Sequence, residues 1–301
     1  MTASVLAALA AMLLFTACAP WLGDRLPPAV AACALTVGSL VVAASTGFVL
    51  AVLALTWLGQ APLIASLAEW SASELDATSP IPEFIAAVGL ALLAVAGLRL
   101  LVRGIRLGRA LIAVRRAHHG TNGAVTVVDS DRPDAFATPA PGGRIVVTSA
   151  LMAALTPVEQ RIVIAHERAH LRHRHAWWLL LADLAEAANP LLRPTLGVVR
   201  HAVERWADED AAREIGDRHL VARTVARVAL LRHDTEHRPV TAATGGQVPR
   251  RVRALLSPRP AGRPWLAVVL VVLLTCSVAA TIAVERTGDA LFDQVATVQD
   301  R

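Results

Sequence analysis

The stretch TPVEQRIVIAHERAHLRHRH, residues 156–175, organises the reading of this 301-residue chain. Thr156 is a good N-cap, Pro157 suits the first helical position, and Glu159 completes a capping box three residues after the cap. This pattern predicts a helix from 156 through about 175. Inside it lies His166-Glu167-Arg168-Ala169-His170. Residues four apart stack on one helix face, so both imidazoles can reach a single Zn²⁺ ion. Glu167 stands beside the first imidazole, where its carboxylate can take a proton from water that the metal has acidified.

The flanks extend the pattern. Residues 124–129, AVTVVD, and 144–149, RIVVTS, read as short strands, with the Pro, Asp and Gly residues of 131–143 supplying the turns between them. A catalytic zinc needs a third protein ligand and one open position. Downstream candidates are Asp183, Glu186, His201, Glu204, Asp208, Glu209 and Asp210. Glu204 and Asp208 are four apart on a predicted helix. One carboxylate could bind metal while the other holds a ligand imidazole. The alternative is a solvated acidic face, since Glu209 and Asp210 follow at once.

Further out, the chain turns apolar. It is 55% hydrophobic and 18% charged, with a mean hydropathy of +0.51. A soluble domain is about half apolar and a quarter charged, so an ordinary soluble enzyme is excluded, and so is disorder. Four apolar stretches approach or exceed the ~20 residues needed to cross a bilayer: about 3–22, 29–58 and 264–284, which carry no charge, and about 82–102, uncharged over 84–98. Arg99 is expected to snorkel at the end of the third. The opening MTASVLAALA has no basic n-region, so a retained helix is expected rather than a signal peptide.

Arg99, Arg103, Arg106, Arg109, Arg115 and Arg116 follow the third stretch, and Arg250, Arg251, Arg253, Arg259 and Arg263 precede the fourth. The positive-inside rule places both groups, and Arg25, in the cytoplasm. Glu69, Glu74 and Asp76, with no Arg, suit the outside. The expected layout is a multi-pass protein of the cell membrane with both termini outside. Residues 103–263 would form a cytoplasmic domain and 285–301 a short outer tail.

The net charge of +5 is carried by Arg alone, with no Lys and no Tyr in the chain. Without aromatic residues interleaved among the basic ones, it points to a membrane and not to direct nucleic-acid binding. Cys18, Cys33 and Cys276 lie in apolar runs without ligand spacing and read as small core residues. AWWLLLADL, containing Trp177 and Trp178, is too short to span and is expected to form a helix packed under the bilayer. His118, His119, His233 and His237 read as solvated or loop residues.

HERAHLRHRH at 166–175 followed by ERWADEDAA at 204–212 resembles the gluzincin membrane peptidases. The likeness is closest to the BlaR/MecR type, with the HtpX-type and CAAX prenyl proteases more distant. AFATPAPGGRIVVTSALMAALTPVEQRIVIAHERAH, 135–170, is similar to the family's order of strand, turn and helix. Asn189-Pro190-Leu191 resembles an NPL element that follows the zinc helix in BlaR/MecR proteins. The resemblance covers about 103–235. It implies a mainly α membrane protein with four transmembrane helices and an α+β zincin-type metallopeptidase domain between spans three and four.

By the same resemblance, His166, His170 and Glu204 hold one zinc per chain, Glu167 is the general base, and Asp208 supports a ligand. Arg144, Ile145, Val146 and Val147 would form the edge strand along which substrate backbone lies. The implied activity is zinc-dependent endopeptidase cleavage of a cytosolic or membrane-proximal protein, a transcriptional repressor being the first expectation. The alternatives are an HtpX-like quality-control protease and a non-catalytic scaffold whose structural zinc is closed by His201 or His173. The chain departs from the family in three ways. It is expected to lack the outer penicillin-binding sensor domain. His175 stands where relatives often have Asp. Without Tyr, the oxyanion-stabilising group falls among His201, Arg205, Arg213 and His219.

Overall fold

The computed structural model describes residues 2–59, 82–117, 124–138, 143–236, 246–258 and 264–299. Residues 60–81, His118, His119, His237 and the side chain of His233 lie outside what is described. Among the described residues, four helices are long and apolar enough to cross a membrane: Ser4–Arg25, Pro28–Leu55, Glu83–Ala110 and Trp265–Arg286. They lie within α1 (Thr2–Arg25), α2 (Pro28–Gly59), α3 (Glu83–Ala117) and α10 (Pro264–Gln299). No proline follows Pro264, and α10 continues through most of the expected outer tail.

Between α3 and α10 lie β1 (Val125–Val128), β2 (Ala135–Thr138) and β3 (Arg144–Thr148), then α4 (Ser149–Ala154) and α5 (Pro157–Arg172). These are followed by α6 (His175–Ala188), a 3₁₀ turn at Pro190–Leu192, α7 (Arg193–Ile215), α8 (Arg218–Glu236) and α9 (Gln247–Leu256).

The sheet corrects two expectations. AFAT at 135–138 is a strand where turns were expected. The strand order is β1-β3-β2, with β1 parallel and β2 antiparallel to β3. Arg144–Val147 therefore lies on the central strand. Its backbone is paired on both sides and offers no edge to a substrate. Ile145 and Val147 face inward, packing with Leu151, Leu155 and Val163 against α5.

The capping box forms as expected. The Thr156 hydroxyl accepts from the Glu159 N–H, and the Glu159 carboxylate accepts from the Thr156 N–H at 2.9 Å. Arg227 of α8 donates to both Glu159 oxygens, at 3.0 and 2.9 Å. The helix ends sooner than expected, at Arg172. His173 caps it and Arg174 turns left-handed at φ 52°, so His175 begins a new helix.

The hairpin α6–turn–α7 is wedged among the long helices instead of lying beneath them. Ala182, Ala185, Leu196, Val199, Ala202 and Val203 share one core with Phe15, Ala19 and Leu22 of α1 and Leu35 and Val42 of α2. The alanines among them, Ala19, Ala182, Ala185 and Ala202, leave room for the helices to approach closely. At the tip, the Asn189 side chain caps the 3₁₀ turn and donates to Met12 Sδ (3.0 Å) and Thr46 Oγ1 (3.2 Å). Met12 is thirteen residues from the Arg25 end of α1, or about 20 Å at 1.5 Å per residue. Arg99 docks the hairpin and does not snorkel. It donates to the Ala187 carbonyl and to the Glu186 carboxylate, each at 2.9 Å, at the end of α6 where a cation is favoured. Arg103 sits 3.4 Å from Asp183.

Candidate metal centre

α5 and α7 pack face to face through Ile162, Ala165, Ala211 and Ala212. This brings the His166–His170 face of α5 against Glu204 and Asp208 of α7. His166 Nε2 and His170 Nε2 lie 3.2 Å apart. Glu204 Oε2 is 3.6 Å from the first and Oε1 is 3.7 Å from the second. Tetrahedral ligands with zinc bonds of about 2.0–2.1 Å are about 3.3 Å from one another. The three donors therefore fit a zinc ion in kind and in spacing.

The surroundings fix these side chains. His166 Nδ1 is 3.1 Å from Asp208 Oδ1. Arg251, from α9, grips Asp208 with two donors at 2.8 and 2.7 Å and reaches Glu204 Oε2 at 2.8 Å. On the far side of His170, its Nδ1 is 3.0 Å from His175 Nδ1. Glu167 is 8% exposed, and its carboxylate accepts from the Ala137 N–H of β2. Burial and the nearby Glu204 carboxylate raise its pKa, which suits a base working near neutral pH. Arg168, the charge inside the motif, points away and pairs with Glu214 at 2.7 Å.

The remaining candidates are engaged elsewhere. Asp183 and Glu186 meet Arg103 and Arg99, Glu209 meets Arg218, and Asp210 meets His173 and Arg213. His173 and His201, the expected fourth ligands of a structural zinc, do not join the donor cluster among the described residues. Neither His201, Arg205, Arg213 nor His219 lines the cleft at the cluster. Arg205 instead donates to the Gly23 carbonyl of α1.

Sequence reasoning missed Arg251, which reads there as one member of the basic run before the fourth apolar stretch. Its only local signal is the amphipathic pattern of QVPRRVRALL, which turns one arginine inward with Leu255 while Arg253 stays exposed. The cleft beside the cluster has a volume of about 970 Å³. Its walls include Phe136 of β2, Trp177 of α6, and Val225 of α8.

Residues 105–187 match the model of peptidase family M48. The match includes the paired histidines and Glu167 and stops short of Glu204, whose place at the cluster rests on geometry. Over 62 residues the chain is 45% identical to a protein of Thermoplasma acidophilum described as "Protease HtpX homolog". That alignment spans 20% of this chain and 20% of that relative. No solved structure matches the chain.

The cluster has its own pH dependence. Burial disfavours protonation of His166, but the Asp208 and Glu204 carboxylates outweigh it and raise the pKa to about 9. Burial, reinforced by the charge on His166, pushes His170 down to about 4. The metal-free pair thus holds one proton at neutral pH, on His166, and a metal must displace it. Zinc uptake at pH 7 is expected to release about one proton, with affinity rising about tenfold per pH unit until pH ~9 and levelling above it. Titration calorimetry in buffers of differing ionisation enthalpy would reveal this. Uptake without proton release between pH 6 and 8 would contradict it.

Proposed function

We propose that this chain is an integral-membrane zinc-dependent endopeptidase of the HtpX-like kind that cuts polypeptides close to the membrane surface. The observation that carries the reading is the Nε2, Nε2 and carboxylate triad at tetrahedral spacing, with the buried Glu167 carboxyl beside it. The family M48 match and the partial likeness to an HtpX homologue support it.

His166, His170 and Glu204 would hold the ion. Bound zinc supplies a Lewis acid for the scissile carbonyl and lowers the pKa of water. Glu167 accepts the proton of the attacking water and returns it to the departing nitrogen. Asp208 keeps His166 Nδ1 occupied so that Nε2 faces the ion, and Arg251 holds Asp208 and Glu204 in place. The substrate backbone lies along β2, an edge strand among the described residues, beside the Ala137 amide that meets Glu167.

The position of the cluster along the long helices favours a membrane-proximal substrate. Val198 packs on Gly23, near the Arg25 end of α1. Glu204 is six residues further along α7, or about 9 Å. Three extended residues span that distance. With the Arg-rich ends inside, cleavage falls on the cytoplasmic side, just beyond the end of a substrate's own span.

The test uses the full chain in lipid nanodiscs with two reporters that share one cleavable segment, one anchored by a single span and the other soluble. Cleavage of the anchored reporter is expected, stopped by a chelator and restored by zinc. No chelator-sensitive cleavage of either reporter would end the enzymatic reading. Faster cleavage of the soluble segment would favour a soluble target such as the repressor implied by the BlaR/MecR resemblance.

A further inference from the structure

The two imidazoles of the cluster are supported in different ways. His166 leans on a carboxylate, the Asp208 Oδ1 at 3.1 Å from its Nδ1. His170 leans on another imidazole, with His175 Nδ1 at 3.0 Å from His170 Nδ1. The geometry points to His175 as the positioning residue for His170, a neutral acceptor that fixes which nitrogen of His170 faces the metal. This rests on the metal centre proposed above and adds to it a residue whose side chain lies outside the ligand set.

The tautomers follow from the contacts. His170 Nε2 faces His166 Nε2 and Glu204. A metal-binding nitrogen must carry its lone pair, so the ring proton of His170 sits on Nδ1. That N–H can only donate, so His175 Nδ1 must accept and His175 carries its own proton on Nε2. His175 is 0% exposed, and its Nε2 has no hydrogen-bond partner among the described residues. A buried donor left unpaired is costly. An apolar ring would fill the same space without that cost, and the Nδ1 contact is what an imidazole adds.

The backbone reaches this position through an unfavourable turn. Arg174 is the one residue other than glycine with positive φ among those described, at 52°. L-residues with a Cβ avoid that region. The reversal ends α5 at Arg172 and restarts a helix at 175, which folds the His175 ring back onto His170, edge to face, with ring centroids 4.8 Å apart. Trp206, 4.8 Å from the His175 ring centroid, backs it from α7.

The experiment measures zinc affinity of the purified, metal-stripped full chain by competition with a chelating dye, together with the melting temperature of the metal-free protein. His175→Phe puts a slightly larger apolar ring in the same place and removes the unpaired N–H, two effects that oppose each other, so the metal-free protein should stay folded and melt near the parent. Its zinc affinity should nevertheless fall about 10- to 100-fold, as loss of a ligand's supporting hydrogen bond typically costs. His175→Asn puts an amide oxygen where Nδ1 stood and should recover most of that affinity. A Phe variant that binds zinc as tightly as the parent, or an Asn variant no better than Phe, would overturn the positioning role alone. A parent protein that takes up no stoichiometric zinc would overturn the metal centre, and this role with it.

Discussion

Glu167→Gln should lower peptide-bond turnover by about 10²- to 10⁴-fold, the usual contribution of a positioned general base, while one zinc per chain is retained. The substitution is isosteric. Its amide oxygen can still accept from the Ala137 N–H, so β2 keeps its place beside the cluster. Only the capacity to take a proton is lost. Glu167 lies on α5 between the two imidazoles yet contributes no atom to the donor cluster. Metal content and activity are therefore expected to separate. Turnover per bound zinc, measured on the anchored reporter, checks this. A Gln variant with parental turnover would remove Glu167 from the mechanism. A variant that loses both zinc and activity would make it a ligand.

Arg251→Met should destabilise the metal-free protein by about 3–5 kcal/mol, the cost of removing one partner from a buried ionic cluster. The Asp208 side chain is 2% exposed and that of Arg251 14%, so water cannot replace the lost guanidinium. Glu204 would lose its cation as well. Although burial pushes its pKa up, the His166 hydrogen bond and Arg251 hold the carboxyl well below the usual range. A second cation can substitute in part. Zinc should therefore raise the melting temperature of the Met variant more than that of the parent. Adding Asp208→Asn to Arg251→Met should recover part of the loss by removing the stranded charge. Thermal unfolding with and without zinc tests both statements. An unchanged metal-free melting temperature would show that Arg251 is not the counter-ion of this cluster.

Glu167 and Arg251 differ in how much of their role is encoded locally in the sequence. Glu167 belongs to a five-residue pattern on one helix, and its chemistry follows from spacing of 3.6 residues per turn. Arg251 is 43 residues from Asp208 and comes from another helix, which α8 and α7 hold in place. Glu204 and Asp208 fall between these cases. Their four-residue spacing allowed a ligand and its support, but a solvated acidic face has the same spacing. Packing against α5 removes the solvated face: Asp208 is buried and Glu204 faces His166 and His170.

Local pattern alone determined the four long apolar helices, the Thr156–Glu159 start of α5, and the placing of His166 and His170 on one face of it. Each depends on neighbours within one or two helical turns, or on the apolar length of a single segment. Only the tertiary structure decided that β3 is central. AFAT is four residues among turn-formers, and it becomes a strand because β3 supplies its partners. Tertiary contact also set the depth of the α6–α7 hairpin, where Asn189 meets Met12 across 177 residues. It likewise brought His175 beneath His170 through a left-handed turn at Arg174. Pairing, depth and ring-to-ring contact are properties of distant segments packed together, and no short-range periodicity encodes them.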